Sequence, residues 1–230
     1  MSEQKIAVII PCLNEEMTIE GVVHAYQQVL PDADIYVYDN DSTDETAKAA
    51  IRAGAKLRFC STPGKGAVLR EAFRDIEADV YVLVDGDGTY PPEKVPEMID
   101  LYLGEPDSVV LGNRMIGNSR QKKKVMSATH ALGNWLIKWL FAVLYGFKDM
   151  DVLSGSRVFG PQFAKNFPAI YDGFETEAEM AIFAWREHYT IHTVNIPYCA
   201  RPSGSESKVR TFADGIRIIR LAISGRRKGV

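Results

Sequence analysis

The sequence predicts an α/β fold built on a mostly parallel sheet with helices on both faces, and three observations carry that prediction. Short apolar runs recur through the first half of the chain: IAVIIP (6–11), IYVYD (35–39), KLRFC (56–60), DVYVLVD (79–85) and SVVLG (108–112). They are apolar along most of their length instead of alternating, as expected of strands covered on both sides. Segments with helical spacing separate them, and that alternation is the signature of parallel crossover units.

The elements follow in order. After the first strand, EEMTIEGVVHAYQQVL puts Ile19, Val22, Val23, Tyr26 and Leu30 on one helical face, with Asn14 placed to cap its start. After the second, Ser42 and Glu45 in DSTDET match a capping box, which predicts a helix from about Thr43 toward Ala53 with Gly54 as its stop. Pro91-Pro92 opens a further helix after the fourth strand.

Composition sets the outer bounds. A chain of 230 residues with 46% hydrophobic content can bury a full core, as one large α/β domain or a domain with an appendage. A net charge of -3 gives no global basic field, which disfavours a nucleic-acid partner. Cys12, Cys60 and Cys199 lie far apart with no C-x-x-C spacing, so neither a zinc knuckle nor a disulfide framework is expected, and a reducing cytosol fits. The apolar start is ended by Pro11, too soon for a signal peptide or a span.

Polar clusters follow the predicted strands at Asn14-Glu15, Asp39-Asn40-Asp41, Gly64-Lys65-Gly66 and Asp85-Gly86-Asp87. Ligands of open parallel sheets sit off the carboxyl ends of the strands, so these clusters share one rim. Such a rim suits a nucleotide: carboxylates and amides hydrogen-bond base and ribose, and a dication on oxygen ligands neutralises a diphosphate. Each cluster alone also reads as an ordinary turn, and Lys65 as a solvated side chain or turn cap. The G-K-G is not a Walker A loop, since it lacks the upstream glycine and the following Ser or Thr. Recurrence at successive strand ends is what favours a ligand.

VIIPCLNEE, YDNDSTDET, PGKG, DGDGTYPPE, LGNR, DVLSGSRVF and RPSGSESKVR, in this order over about residues 5–212, resemble the family 2 glycosyltransferases of the GT-A fold, in their polyprenyl-phosphate (dolichol-phosphate mannose synthase-like) branch. The resemblance implies a Rossmann-like GT-A domain over 1–212, with a nucleotide-sugar-binding half (1–118) and an acceptor half (119–212), followed by a basic amphipathic tail (213–230). It places Pro11, Asn14 and Glu15 at the nucleotide edge and Asp39 on the base or ribose, with Lys65 counted beside them. Asp85 and Asp87 match the D-x-D that holds Mg2+ or Mn2+ on the donor diphosphate, Asp87 as the more direct ligand. Arg114 matches an arginine facing phosphate. Ser154, Gly155 and Arg157 match a segment near the acceptor, and Arg201, Ser207, Lys208 and Arg210 a basic loop that closes on acceptor phosphate. Leu13 stands where the family has tyrosine, and Gly88 and Thr89 replace the usual leucine and glutamine after the D-x-D.

The implied chemistry is an inverting transfer of a hexose or N-acetylhexosamine from a nucleotide diphosphate sugar, a UDP-sugar in preference to GDP-mannose, to a polyprenyl phosphate. Negative charge develops on the leaving diphosphate, which a cation and arginines stabilise. An anionic lipid phosphate needs no strong general base, whereas a sugar hydroxyl does. Asp151, Glu175 and Glu177 are the candidate bases, Asp151 foremost because it precedes LSGSR, while Glu175, Glu177 and Glu179 read equally as solvated helix positions. A saccharide hydroxyl acceptor, or a non-catalytic nucleotide-sugar-binding protein, are the alternatives.

A lipid acceptor requires a membrane surface. After RQKKK (120–124), HALGNWLIKWLFAVLYGF (130–147) crowds Trp135, Trp139, Phe141, Tyr145 and Phe147 into an apolar stretch broken by Asn134 and Lys138. An interfacial helix over about 128–147 is expected, with a compact core helix as the alternative. In TFADGIRIIRLAISGRRKGV, Phe212, Ile216, Ile219 and Ile223 share one face, Arg217 and Arg220 project elsewhere, and Arg226-Arg227-Lys228 ends the chain positively. The expectation is peripheral attachment at the cytoplasmic membrane face, aided by a small membrane-anchoring protein.

Overall fold

The computed structural model describes residues 4–115, 128–202 and 211–227. The lysine cluster 120–124, Ser207, Lys208, Arg210 and Lys228 lie outside the described residues, as do the side chains of Asn134, Phe212 and Arg227. Seven strands form the described sheet: β1 (Ile6–Cys12), β2 (Asp34–Asp39), β3 (Lys56–Phe59), β4 (Val80–Leu83), β5 (Ser108–Met115), β6 (Arg157–Phe159) and β7 (Thr190–Pro197). Their spatial order is β3-β2-β1-β4-β6-β5-β7. Neighbours are parallel except at β6, which runs antiparallel to both β4 and β5. The five expected strands are present in the predicted mostly parallel sheet, and β6 and β7 join them from the second half of the chain.

Eight helices are described: α1 (Ile19–Val29), α2 (Thr46–Arg52), α3 (Lys65–Asp75), α4 (Val95–Gly104), α5 (Ala128–Tyr145), α6 (Pro161–Asn166), α7 (Thr176–Arg186) and α8 (Thr211–Arg227). Strand side chains alternate between faces, so β1 feeds two cores. Val8 and Ile10 pack with Val22, Val23 and Tyr26 of α1, Ala49 of α2 and Met98 of α4. Ala7 and Ile9 pack on the other face with Leu69 and Phe73 of α3, Phe163 of α6 and Phe183 of α7. Each fully buried Val, Leu, Ile, Phe or Met among them contributes about 1.5–3 kcal/mol through burial.

Two helix starts differ from expectation. Asn14 does not cap α1; it sits at φ 53° and its Oδ1 accepts from the Thr43 amide at 2.8 Å. Ser42 and Glu45 do not form a capping box. Ser42 Oγ accepts from the Asn14 amide (2.9 Å), and α2 begins only at Thr46, whose amide is capped by Asp44 Oδ1 at 3.0 Å. The helix ends as predicted, with Gly54 at φ 83°, where a side chain would be strained.

A third core joins α5, α7 and α8, and it divides the aromatic stretch expected at the membrane. Phe141, Tyr145 and Phe147 stack on one another with centroids 5.3–6.2 Å apart, buried against Ala178, Ala181, Ile182, Ile218 and Leu221. Those three aromatics are core. Trp135 and Trp139, four residues apart, face outward at 61% and 52% exposure beside Leu136 and Val143. On α8 the packed face is Ile218, Leu221 and Ala222, while Ile216 and Ile223 are exposed, so the predicted apolar face is not the one that docks. Tyr145 Oη donates to the Ala222 carbonyl at 2.6 Å, locking α5 to α8. Among the described residues, no helix is long and apolar enough to cross a membrane.

Candidate functional site

Parallel pairing sends the loops after β1, β2, β3 and β4 to one edge of the sheet. Because β6 is antiparallel, its beginning enters at the same edge, where Arg157 pairs with Leu83. The ends of β5 and β7 arrive there too, bringing Arg114 and the segment to Arg201. Polar clasps then tie the loops together. Asn40 Nδ2 donates to the carbonyls of Cys60 (2.8 Å) and Thr62 (2.7 Å), and its Oδ1 accepts from the Gly64 amide (2.7 Å). Thr18 Oγ1 donates to the Gly86 carbonyl at 2.7 Å, joining the first loop to the acidic turn. Asp39, buried at the end of β2, accepts from the Ser42 amide at 3.0 Å. Pro11 lies in β1 opposite Tyr38, one residue short of the edge.

Lys65 is neither solvated nor a turn cap. A Cβ at Gly64 would come within 2.1 Å of the Asp172 carbonyl oxygen, and one at Gly66 within 1.8 Å of that of Tyr171. The two glycines let the start of α3 lie against that backbone, which turns Lys65 inward. Its Nζ donates to Asp85 and, at 2.6 Å, to Glu177. Burial opposes the ammonium, but the two carboxylates outweigh it and raise its pKa. Asp85 in turn covers Gly155, where a Cβ would meet its Oδ2 at 2.1 Å. Thus Gly155 is required by the acidic turn itself.

Asp87 is buried and fully engaged. Its Oδ1 accepts from the Thr89 amide (2.9 Å) and hydroxyl (2.6 Å), and its Oδ2 from Arg201 at 2.5 Å. The other arm of Arg201 reaches Glu15 Oε1 at 3.5 Å. Among the described residues no group of three or more His, Cys, Asp or Glu forms a metal cage. Two hard carboxylates fit a magnesium-like ion that draws its remaining ligands from phosphate and water, not a free-standing structural ion.

Three expected roles need correction. Arg157 does not face acceptor phosphate: it is fully buried, and its guanidinium donates to the carbonyls of Ser154 (3.1 Å), Val152 (2.7 Å) and Glu177 (2.8 Å). Placed in β6, it pins the 152–154 turn to α7. Ser154 is likewise fully buried, its Oγ accepting from the Ser156 amide at 3.3 Å. Glu175, Glu177 and Glu179 are buried, not solvated. Glu179 accepts from the amides of Ile170 and Tyr171, and Glu175 keeps a buried Oε2 without a hydrogen-bond partner.

Arg114 grips Asp151 with two nitrogens, one at 2.8 Å, and lies 5.2 Å from the centroid of the Tyr198 ring. Burial alone would raise the Asp151 carboxyl, but Arg114 more than offsets it and holds the group below the ordinary aspartate range. A depressed carboxylate is a weak base, which counts against Asp151 as the proton acceptor. The linkage sign is that of a lowered acid: its stabilisation is complete above the unfolded value, about pH 4, and is lost as pH falls through the folded one. Asp151→Asn should therefore be destabilised relative to the wild type at neutral pH, with the gap closing below about pH 4. Urea unfolding across pH checks this; a pH-independent gap would contradict it.

Thr89 and Asn40 are two polar residues that hold this site and to which the sequence alone assigns no individual role. Their signals were local: a hydroxyl two residues after the carboxylate it supports, and an amide between two aspartates.

The profile of the family described as Glycosyl transferase family 2 matches residues 7–163. The chain is 33% identical over 211 residues to the glycosyltransferase AglJ of Haloferax volcanii, covering 91% of this chain and 68% of that protein. It is 27% identical over 213 residues to a dolichyl-phosphate hexose transferase of the same organism, covering 93% and 90% of the two chains. Its fold resembles the crystal structure of glucosyl-3-phosphoglycerate synthase from Mycobacterium tuberculosis with uridine diphosphate, at a TM-score of 0.77 and 23% identity, covering 98% of this chain and 81% of that one. The sheet order, the shared rim and the match over residues 7–163 lead to one conclusion: this chain belongs to glycosyl transferase family 2.

Proposed function

We propose that this protein is an inverting glycosyltransferase that moves a hexose or N-acetylhexosamine from a nucleotide diphosphate sugar, with UDP favoured over GDP, to a polyprenyl phosphate at the cytoplasmic membrane face. The observation that carries the acceptor assignment is the state of the carboxylates at the rim. Asp151 is held ionised by Arg114, and Glu177 is paired with Lys65, so neither is a free general base. A phosphate acceptor needs none.

In this reading Asn14, Glu15 and Asp39 line the nucleotide edge, and Asp85 and Asp87 hold a Mg2+ or Mn2+ ion. That ion would neutralise charge on the leaving diphosphate. Lys65 fixes the direction of Asp85, and Arg114, oriented by Asp151, adds positive charge beside the phosphates. Arg201, Ser207, Lys208 and Arg210 gather the acceptor phosphate, which attacks the anomeric carbon from the face opposite the leaving group. Arg157 and Ser154 shape the turn that carries Gly155. Support for the metal and for UDP comes from the related fold of the mycobacterial synthase with Mn2+ and UDP-glucose, and for the lipid from the dolichyl-phosphate relative.

The acceptor would arrive along α5. Lys138 of that helix helps hold the Asp151 carboxyl down, and Trp135 and Trp139 are exposed on the same helix. Tryptophans suit headgroup depth, and Arg217, Arg220 and Arg226 on α8 are exposed for anionic lipid. A small membrane-anchoring protein remains part of the proposal. One observation favours a second reading with a hydroxyl acceptor: the unpartnered Glu175 Oε2 could take a proton.

The test offers UDP- and GDP-sugars with Mn2+ to three acceptors: polyprenyl phosphate in anionic vesicles, phosphoglyceric acid and a free saccharide. Glycolipid should form, and Trp135→Ala with Trp139→Ala should lower vesicle binding and glycolipid yield about tenfold while leaving UDP affinity unchanged. Transfer to saccharide alone, lost in Glu175→Gln, would establish the second reading instead.

A further inference from the structure

The carboxylate of Asp151 grips Arg114 by its edge. Nε and Nη2 donate to the two carboxylate oxygens, the second bond at 2.8 Å, and Nη2 also reaches the Leu153 carbonyl at 3.2 Å. The flat of the guanidinium is covered by a different residue, Tyr198, whose ring centroid lies 5.2 Å from the guanidinium carbon. Register explains the encounter. Arg114 of β5 pairs with Ile196 of β7, and alternate side chains of a strand share a face, so Tyr198 emerges beside Arg114 on the face that carries Ile196. The ring is itself anchored, packed on the core of that face and meeting Tyr90 edge to face at 5.4 Å. The Tyr90 hydroxyl accepts from the Gly155 amide at 2.9 Å, and the Cys199 amide donates to the Thr89 carbonyl at 3.0 Å. Burial pushes the Tyr198 phenol up, so the ring is neutral and acts on Arg114 through its face. Among the described residues, Nη1 of Arg114 makes no hydrogen bond.

We infer that Tyr198 is a positioning residue for Arg114: the carboxylate fixes the edge of the guanidinium, the ring fixes its face, and together they hold Nη1 toward the sugar-linked phosphate of the donor. The inference rests on the reading of Arg114 as the arginine beside the donor phosphates. A carboxylate gripping one edge leaves the guanidinium plane free to tilt about that edge, and a ring against the plane removes the tilt. The gain falls where charge develops as the bond to the anomeric carbon breaks, since a donor already in place stabilises that charge without reorganising. Tyr198 touches Tyr90 while Cys199 bonds to Thr89, so one short backbone segment ties the arginine to the acidic turn. The arginine and a cation on that turn would then meet the diphosphate at a fixed separation.

The experiment titrates the full chain calorimetrically with UDP and with GDP in the presence of Mn2+, and with the monophosphate of whichever base binds. Tyr198→Leu should weaken the diphosphate about fivefold and leave the monophosphate within about twofold of wild type. Tyr198→Phe keeps the ring face and should bind as wild type does. Arg114→Gln should weaken the diphosphate about tenfold or more, and adding Tyr198→Leu to it should weaken binding no further, since the ring then has no guanidinium to hold. Additive losses in the double variant, or equal losses for monophosphate and diphosphate, would make the ring a general support of the fold and overturn the inference. Urea unfolding checks that each variant folds, and Tyr198→Met, which fills similar space without a ring, replaces the leucine variant if that one does not. Undiminished diphosphate binding by Arg114→Gln removes the reading of Arg114 on which the inference stands. Wild-type binding by Tyr198→Leu beside a weakened Arg114→Gln overturns the inference alone.

Discussion

Asp87→Asn is expected to lose metal-dependent UDP binding and to lower transfer by about a hundredfold to a thousandfold, the range seen when one preorganised charge-stabilising group is removed. The substitution is close to isosteric, and Asn Oδ1 can still accept from the Thr89 amide and hydroxyl, so the turn should keep its shape. What changes is the other atom. Asn Nδ2 would present donors to the donors of Arg201, and no anionic oxygen would remain there for a cation. Calorimetric titration of UDP with and without Mn2+, together with turnover on the best donor, measures the effect. Normal turnover would remove Asp87 from the reaction.

Lys65→Met should be the most destabilising single change at the rim, at about 3–5 kcal/mol, because it strips the cation from a buried ion pair and leaves the carboxylates behind. Glu177 has 8% side-chain exposure and Asp85 27%, so the larger share of the cost falls on Glu177. Burial already pushes the Glu177 carboxyl upward against the pull of Lys65, and without the lysine it would protonate more readily. Adding Glu177→Gln to Lys65→Met should therefore recover part of the loss. Urea unfolding of the two variants provides the comparison. A loss below about 1 kcal/mol for Lys65→Met would show that water or rearrangement screens the pair.

The parts of this molecule that were legible in the sequence share a property: each followed from a residue's position on a strand. Asp39, Asp85 and Asp87 converge because β2 and β4 are parallel neighbours of β1, and apolar runs announced those strands. Features set by the second half were harder to read. β6 is only RVF, too short for any periodic signal, yet its insertion decides that Arg157 is enclosed and that the Ser154 turn sits against the acidic turn. The one arginine of LSGSR looks the same in sequence whether it faces phosphate or backbone carbonyls. The burial of Lys65 is hidden in the sequence for a related reason, since it depends on carbonyls of Tyr171 and Asp172 more than a hundred positions away. The flanking glycines were the available clue, read as a turn although they mark a close approach of two backbones. In the aromatic stretch, periodicity alone did not separate Trp135 and Trp139 from Phe141 and Tyr145; an i, i+4 pair outward and another inward occupy opposite sides of one helix.

The antiparallel insertion of β6 reaches beyond the site. It fills the slot between β4 and β5, so neither strand meets the other directly and both depend on a tripeptide that begins 42 residues after β5 ends and 74 after β4 ends. Before that tripeptide is synthesised, the nascent sheet has two raw borders facing each other, each able to recruit a stray partner. The keystone of the donor platform is thus delivered by the portion of chain that also carries the turn against the acidic loop, and a ribosome must release that portion before either task can be completed.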